Sequence, residues 1–239
     1  MYLSRLWLNA RSREVRRDLA DPHEMHRTVM RGFPPIEPAS DAARAHHGVL
    51  YRVDDDPRLG RLVLYVQART EPDWRPLPEG YLVDAMGEID NPSTTEVLSA
   101  WAALAPGREL AFRLRANPTR RIDTKSGPDG KRRNGKRVEL RGDEALLTWL
   151  QRKAKDAGFA LRNTSEDATV PDVRIVEERK LVGRRPRAEG DKSRLTFAPV
   201  LFEGVLRVAD ADAFRRALAE GIGPAKAFGF GLLSVQRAR

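Results

Sequence analysis

The chain has 239 residues, no cysteine, and 43 Lys and Arg against 34 Asp and Glu, for a formal net charge of +9. Lack of cysteine excludes disulfides, thiolate chemistry and cysteine-type zinc sites, and no apolar run approaches the roughly 18 residues of a membrane-spanning helix. The expectation is a cytoplasmic protein without a membrane role, whose basic excess suits a polyanionic partner. That excess is clustered, with eleven basic and three acidic residues over 113–141 and eight basic and four acidic over 174–194. Clusters of this kind point to phosphate contacts better than a diluted surplus does.

In chain order, residues 2–8 alternate apolar with polar and predict a half-buried strand. Ser12 caps a short helix to about 19, and Asp21-Pro22 then gives a cap with proline at the first helical position, opening a helix to about 31. Residues 33–47 are predicted as loop. Two strands at 49–53 and 62–68 form a hairpin, and Ser93-x-x-Glu96 reads as a capping box opening a helix to about 104. A strand at 109–115 closes that unit.

The second half predicts a strand near 119–122 or 137–140, a helix over 143–157, and two long strands at 173–182 and 195–208. A helix over 210–220 and a last strand at 232–235 follow. Both halves read as β-α-β-β-α-β, so the expected architecture is α+β: two tandem ferredoxin-like (RRM-like) βαββαβ domains, 1–117 and 118–239.

Between the last helix and strand lies a loop with four glycines in eleven residues, Gly221, Gly223, Gly229 and Gly231, with Lys226 among them. Such a loop can turn its N–H groups toward phosphate. Equally, Gly221 and Pro224 can simply end the helix. Neither the Walker A spacing nor the dinucleotide fingerprint occurs. Lys226-Ala-Phe-Gly-Phe230 half-matches an RRM stacking signature, but lies at the C-terminus instead of on an internal strand.

His23 and His26 stand three apart on the helix begun at Asp21-Pro22, and so face one side of it. A metal site is disfavoured by the spacing and by the lack of cysteine, and a two-histidine phosphoesterase lacks its second motif. Two readings stay open from the residues: imidazoles that only coat an amphipathic helix, and proton carriers for metal-free RNA cleavage. In the latter the ribose 2′-OH attacks the adjacent phosphate, and needs one proton removed, another donated, and cationic support for the phosphorane.

Several separated segments, in order, resemble the CasE family, the CRISPR repeat-processing endoribonuclease of type I-E Cascade. They are Met1-Tyr-Leu-Ser-Arg5, Asp21-Pro-His-Glu-Met-His-Arg27, Phe112-Arg-Leu-Arg-Ala-Asn-Pro118, Trp149-Leu-Gln-Arg-Lys153, Leu201-Phe-Glu-Gly-Val-Leu206 and the glycine-rich terminus. The resemblance implies two ferredoxin-like domains that bind the CRISPR repeat RNA hairpin and cut at the 3′ base of its stem without metal or other cofactor. It also implies retention of the mature guide RNA as a Cascade subunit, beside partners such as the backbone subunit.

His26 aligns with the family's catalytic histidine. His23 stands where the family commonly has tyrosine, which leads to the expectation of an acid–base pair. Expected RNA contacts are Arg27, Arg113, Arg115, Arg120, Arg121, Lys131, Arg132, Arg133, Arg179, Lys180, Arg184, Arg185, Arg187, Lys226, Gly229 and Gly231. Among these, the hairpin near 179–194 corresponds to the element that enters the stem's groove. The rival reading is a non-catalytic guide-RNA-binding subunit of the same architecture.

Overall fold

The computed structural model describes residues 1–36, 43–56, 60–84, 90–122, 136–165, 169–185 and 193–238. Strand β1 (Tyr2–Leu8) is followed by helices α1 (Arg13–Ala20), α2 (Pro22–Met30) and α3 (Ala43–His47), then β2 (Leu50–Asp56), β3 (Arg61–Ala68), β4 (Ser93–Glu96) and α4 (Leu98–Ala102). The first sheet has the order β2-β3-β1-β4, antiparallel throughout. One face packs on α1 and α2 through a core that includes Leu6, Val15, Met25, Val29, Tyr51 and Leu64. The opposite face of β1 is also covered, because Arg5 and Arg61 lay their guanidinium groups over Trp7 at 4.9 and 4.6 Å.

The second half runs β5 (Glu109–Ala116), β6 (Thr119–Ile122), β7 (Lys136–Glu139), α5 (Asp143–Asp156), β8 (Phe159–Leu161), β9 (Val173–Glu177), β10 (Leu181–Arg185), β11 (Ser193–Phe197), β12 (Val200–Val208), α6 (Ala211–Glu220) and β13 (Leu233–Arg237). Its sheet is ordered β13-β5-β12-β8, with β9 also on β12. This is the ferredoxin-like order, and α5 and α6 cover one face through Trp149, Leu150, Phe214 and Leu218.

Four expectations change. The strand 109–116 does not close the first unit. It sits at the centre of the second sheet, hydrogen-bonded to β12 and β13, so a division after 117 cuts through the wrong unit. Its alternate residues Leu110, Phe112, Leu114 and Ala116 bury themselves in the second core. Ser93–Glu96 is an edge strand, not a helix start: it pairs with β1, and Ser4 and Thr94 share a 2.8 Å hydroxyl hydrogen bond.

Part of the segment 33–47 is helical, at Ala43–His47. Finally, each long strand expected around 173–208 is broken in two, leaving β10–β11 as a separate two-stranded ribbon. The break falls where Pro199 has no N–H to give and its carbonyl instead accepts from Glu178 N–H at 2.9 Å.

The two units meet along a polar seam. Arg52, 2 % exposed, forks onto both Asp54 oxygens at 2.7 and 2.9 Å and donates from Nη1 to the Leu232 carbonyl at 3.1 Å. Gln67 donates to the Leu218 carbonyl at 2.7 Å. These bonds fix how α2 and the glycine-rich loop face each other.

Candidate active site

Helix α2 starts where Asp21 accepts the His23 N–H at 2.9 Å and Pro22 occupies the first turn. Pro22, Met25 and Val29 form its buried stripe, at helical spacing. His23 and His26 each follow a stripe residue by one position, so they flank the core face and are half-buried, while Arg27 points outward and pairs with Glu24 at 3.0 Å. The helix thus offers both imidazoles on one side.

The glycine-rich loop lies against that helix. It leaves α6 through Gly221 (φ 76°) and makes a 3-10 turn at Lys226–Phe228, flanked by left-handed Ala225 (φ 64°) and Gly229 (φ 81°). It then closes on itself: Ile222 N–H donates to Gly231 O at 2.9 Å, and Gly231 N–H donates to Arg115 O on β5 at 2.8 Å. At Gly231 (φ 90°) a Cβ would stand 2.8 Å from the Ile222 carbonyl oxygen, so only glycine fits. The N–H groups of Gly221, Ile222, Phe228 and Gly231 are therefore spent inside the loop and on its anchors, and do not point outward as a phosphate cradle.

Phe228 carries the contact to the histidine. Its ring centroid is 6.3 Å from that of His26. Phe228 packs in turn on Phe197 of the ribbon at 4.9 Å, Phe197 on Phe230 at 5.5 Å, and the Arg115 guanidinium lies 5.1 Å over Phe230. This row of rings joins the histidine helix, the glycine-rich loop, the basic ribbon and the central strand of the second sheet.

At the start of α2, a Cβ at Gly183 of the ribbon would lie 3.3 Å from Asp21 Oδ1 and 3.7 Å from Pro22 Cδ. The ribbon thus passes over the start of the histidine helix. A cleft of about 330 Å³, lined by Pro22, Met25, Tyr51, Arg115, Leu181 and Phe228 among others, opens where these elements meet.

The expected RNA contacts divide into groups. Lys226, Gly229 and Gly231 lie in the loop beside α2, and the backbone of Arg184 and Arg185 ends β10. Arg179 is exposed near the ribbon's base, and Lys180 beside it binds Glu139 at 2.6 Å. Arg120 and Arg121 are exposed on β6. Lys131, Arg132, Arg133 and Arg187 lie outside the described residues.

Arg113 corrects the expectation: it binds Glu203 at 2.6 Å and Asp54 at 3.1 Å, and so belongs to the seam between units and not to a free basic surface. Arg115 holds Glu178 at 2.6 Å with its side chain 15 % exposed, at the wall of the small cleft. Burial, helped by the nearby Arg44 charge, pushes the Lys226 ammonium below its ordinary pKa. A cation under that strain gains from an incoming anion.

Sequence reasoning missed Tyr51, which is 1 % exposed and donates to the Ala227 carbonyl at 3.0 Å, within a longer 3.5 Å reach of the Pro22 carbonyl. Phe197 and Phe228, which bridge ribbon, loop and helix, were missed as well. Nothing in a strand's alternation or a lone phenylalanine marks them, because their partners lie far away in the chain.

Fold and site together define a tandem ferredoxin-like protein whose N-terminal histidine helix is set against a C-terminal glycine-rich loop. Residues 1–237 match the sequence profile of a family described as "CRISPR associated protein", and the chain belongs to that family. It is 37% identical over 236 residues to the CRISPR-associated endoribonuclease Cse3 of Thermus thermophilus, covering 98% of this chain and 99% of that protein. It is also 38% identical over 135 residues to the CRISPR system Cascade subunit CasE of Escherichia coli, covering 55% of this chain and 60% of that one.

Among solved structures, Cse3 bound to a 19 nt RNA is similar with a TM-score of 0.73 at 37% identity, covering 99% of this chain and all of that one. Cse3 bound to an RNA representing a pre-cleavage complex gives 0.70 at 36% identity, with 98% of both chains covered.

Proposed function

We propose that this chain is the CRISPR endoribonuclease that cuts precursor RNA at the base of the repeat hairpin, without metal, and keeps the mature guide RNA as a Cascade subunit in the cytoplasm. The supporting relatives are an endoribonuclease over nearly the full length and a Cascade subunit over about half. No helix among the described residues is long and apolar enough to cross a membrane.

The observation that carries the reading is that half-buried His26 lies against the glycine-rich loop, through Phe228, on the helix over whose start the basic ribbon passes. In the reaction the 2′-oxygen loses its proton and attacks the neighbouring phosphorus, the bond to the 5′-oxygen breaks, and that oxygen is protonated. The products are a 2′,3′-cyclic phosphate and a 5′-OH. His26 and His23 take the two proton-transfer roles, one as base and one as acid. Lys226, in the turn that ends at Phe228, supplies positive charge to the phosphorane. Arg179 and the ribbon contact the backbone phosphates of the stem, since the deep, narrow major groove of A-form RNA leaves shape and phosphate as the main features to read.

The test is incubation with cognate repeat RNA in excess chelator, followed by analysis of the ends. A cyclic phosphate and a 5′-OH support the reading, and metal dependence or a 5′-phosphate overturns it.

A further inference from the structure

The glycine-rich loop has two sides, and only one faces the histidine helix. Its other side, from Gly221 to Lys226, closes the end of a separate groove of about 840 Å³ between α5, α6 and the β6–β7 hairpin. This volume falls within the roughly 300–1,000 Å³ of ligand-binding clefts. The walls are basic on each element: Arg120 and Arg121 from β6, Arg152 from α5, Arg216 from α6, and Lys226 from the loop. Two carboxylates, Asp156 and Glu220, also line it, and Asp156 is held by Lys153 at 3.7 Å.

Among the described residues, no carboxylate lies in ion-pair contact with Arg120, Arg121, Arg152, Arg216 or Lys226, and the four arginines are exposed. Exposed arginines without an ion-pair partner among the described residues also occur singly, as at Arg16, Arg31 and Arg108, but in this groove four of them converge with Lys226 on one concavity. Cations converging from four elements on one concavity repel one another, with Glu220 offsetting part of this at Lys226, and are relieved by a linear polyanion. Trp149 at the floor is 2 % exposed, so the groove offers no open aromatic platform for bases. Such a lining reads phosphate and not sequence.

We propose that this groove binds the single-stranded RNA that flanks the repeat hairpin, by its phosphates and without regard to sequence. The inference rests on the hairpin-cleaving function proposed above and adds a second contact site to it. A duplex is a convex rod that rests on the rims of such a groove, whereas a single strand enters between them with phosphates facing both walls. The site is continuous with the cleavage region, because Lys226 ends the groove while Phe228, two residues on, touches His26. A strand leaving the stem base can therefore pass across the loop directly into it. This continuity favours RNA over an acidic protein segment as the occupant.

The experiment measures dissociation constants of a cleavage-blocked hairpin, with 2′-deoxyribose at the cut site, bare and extended by a short oligo-uridine flank. It compares wild type with the double variant Arg152→Ala/Arg216→Ala. Wild type should hold the flanked RNA about tenfold tighter, the scale of one charge-assisted bond. In the double variant that ratio should fall toward one, with the salt slope for flanked RNA reduced by about 1.4, the share of two single-strand phosphate contacts. Arg152→Lys/Arg216→Lys should restore most of the gain.

A wild-type ratio of one, or an unchanged ratio in the alanine variant, overturns the inference. So does capture of a poly-aspartate peptide by wild type but not the variant when the flank has no effect. Cleavage of an unmodified bare hairpin, assayed alongside, separates the two claims: its loss in wild type contradicts the proposed function, whereas its presence with no flank effect contradicts only the groove.

Discussion

The Tyr51 hydroxyl donates to the Ala227 carbonyl at 3.0 Å, which ties strand β2 of the first unit to the glycine-rich loop of the second beside His26. Burial drives the phenol pKa far above its ordinary value, so the group stays a donor at every working pH. Tyr51→Phe should cost about 1 kcal/mol of stability, the net worth of a hydrogen bond. Because it loosens the loop against the histidine helix, it should also slow single-turnover cleavage by roughly ten- to a hundredfold with RNA affinity nearly unchanged. Thermal melting, single-turnover rates and dissociation constants check the two effects separately. Equal losses in rate and affinity would mean that Tyr51 shapes the binding surface instead of positioning the loop.

Gly231→Ala forces a side chain into a left-handed backbone position with a carbonyl oxygen 2.8 Å away. The backbone strain alone should cost about 1–2 kcal/mol. The clash should open the loop closure between Ile222 and Gly231, exposing those amides. Hydrogen exchange at both amides should quicken by tenfold or more, and cleavage should fall with it.

The seam between units should fail in acid. Burial pushes the Asp54 carboxyl upward, but the hydrogen bonds and charges of Arg52 and Arg113 outweigh it and hold the pKa below the ordinary value. A depressed folded-state pKa gives stability that is present above the unfolded value of about 3.9 and is lost as pH falls through the folded one. The melting temperature of wild type should therefore drop below about pH 4 more steeply than that of Asp54→Asn. At pH 7 the asparagine variant should already be less stable, by up to roughly 3–5 kcal/mol, because Arg52 is left buried without its countercharge.

The ribbon should govern binding more than chemistry. Arg184→Ala/Arg185→Ala should raise the dissociation constant for hairpin RNA at physiological salt and flatten its salt dependence by about two. The cleavage rate of the saturated complex should change far less. A rate collapse with unaltered affinity would place these arginines at the phosphorane instead.

The first unit was readable where its instructions are local. Asp21-Pro22 set the start of α2, Ser12 capped α1, and alternation gave β1 its full length. Where pairing decides, the sequence was ambiguous. Strand 109–116 has the same alternation whichever sheet it joins, and only its bonds to β12 and β13 assign it.

Ser93-Thr-Thr-Glu96 fits a capping box and an edge strand equally well, and β1 decides between them. A charge count marked Arg113 as basic surface because its partners, Asp54 and Glu203, lie far off in the chain. His26 and the glycine loop were legible as separate motifs, and their contact through Phe228 required the fold.

The central claim is that His26 moves a proton while RNA cuts itself, with His23 as its partner. Single-turnover cleavage of repeat RNA in excess chelator, measured against pH for wild type, His23→Ala and His26→Ala, tests it most directly. The account predicts a bell-shaped wild-type profile, a loss of at least a hundredfold in either variant, one limb of the profile missing in His23→Ala, and RNA affinity retained in both. Near-normal cleavage by His23→Ala would contradict the pair and leave His26 alone, and near-normal cleavage by His26→Ala would contradict the account itself.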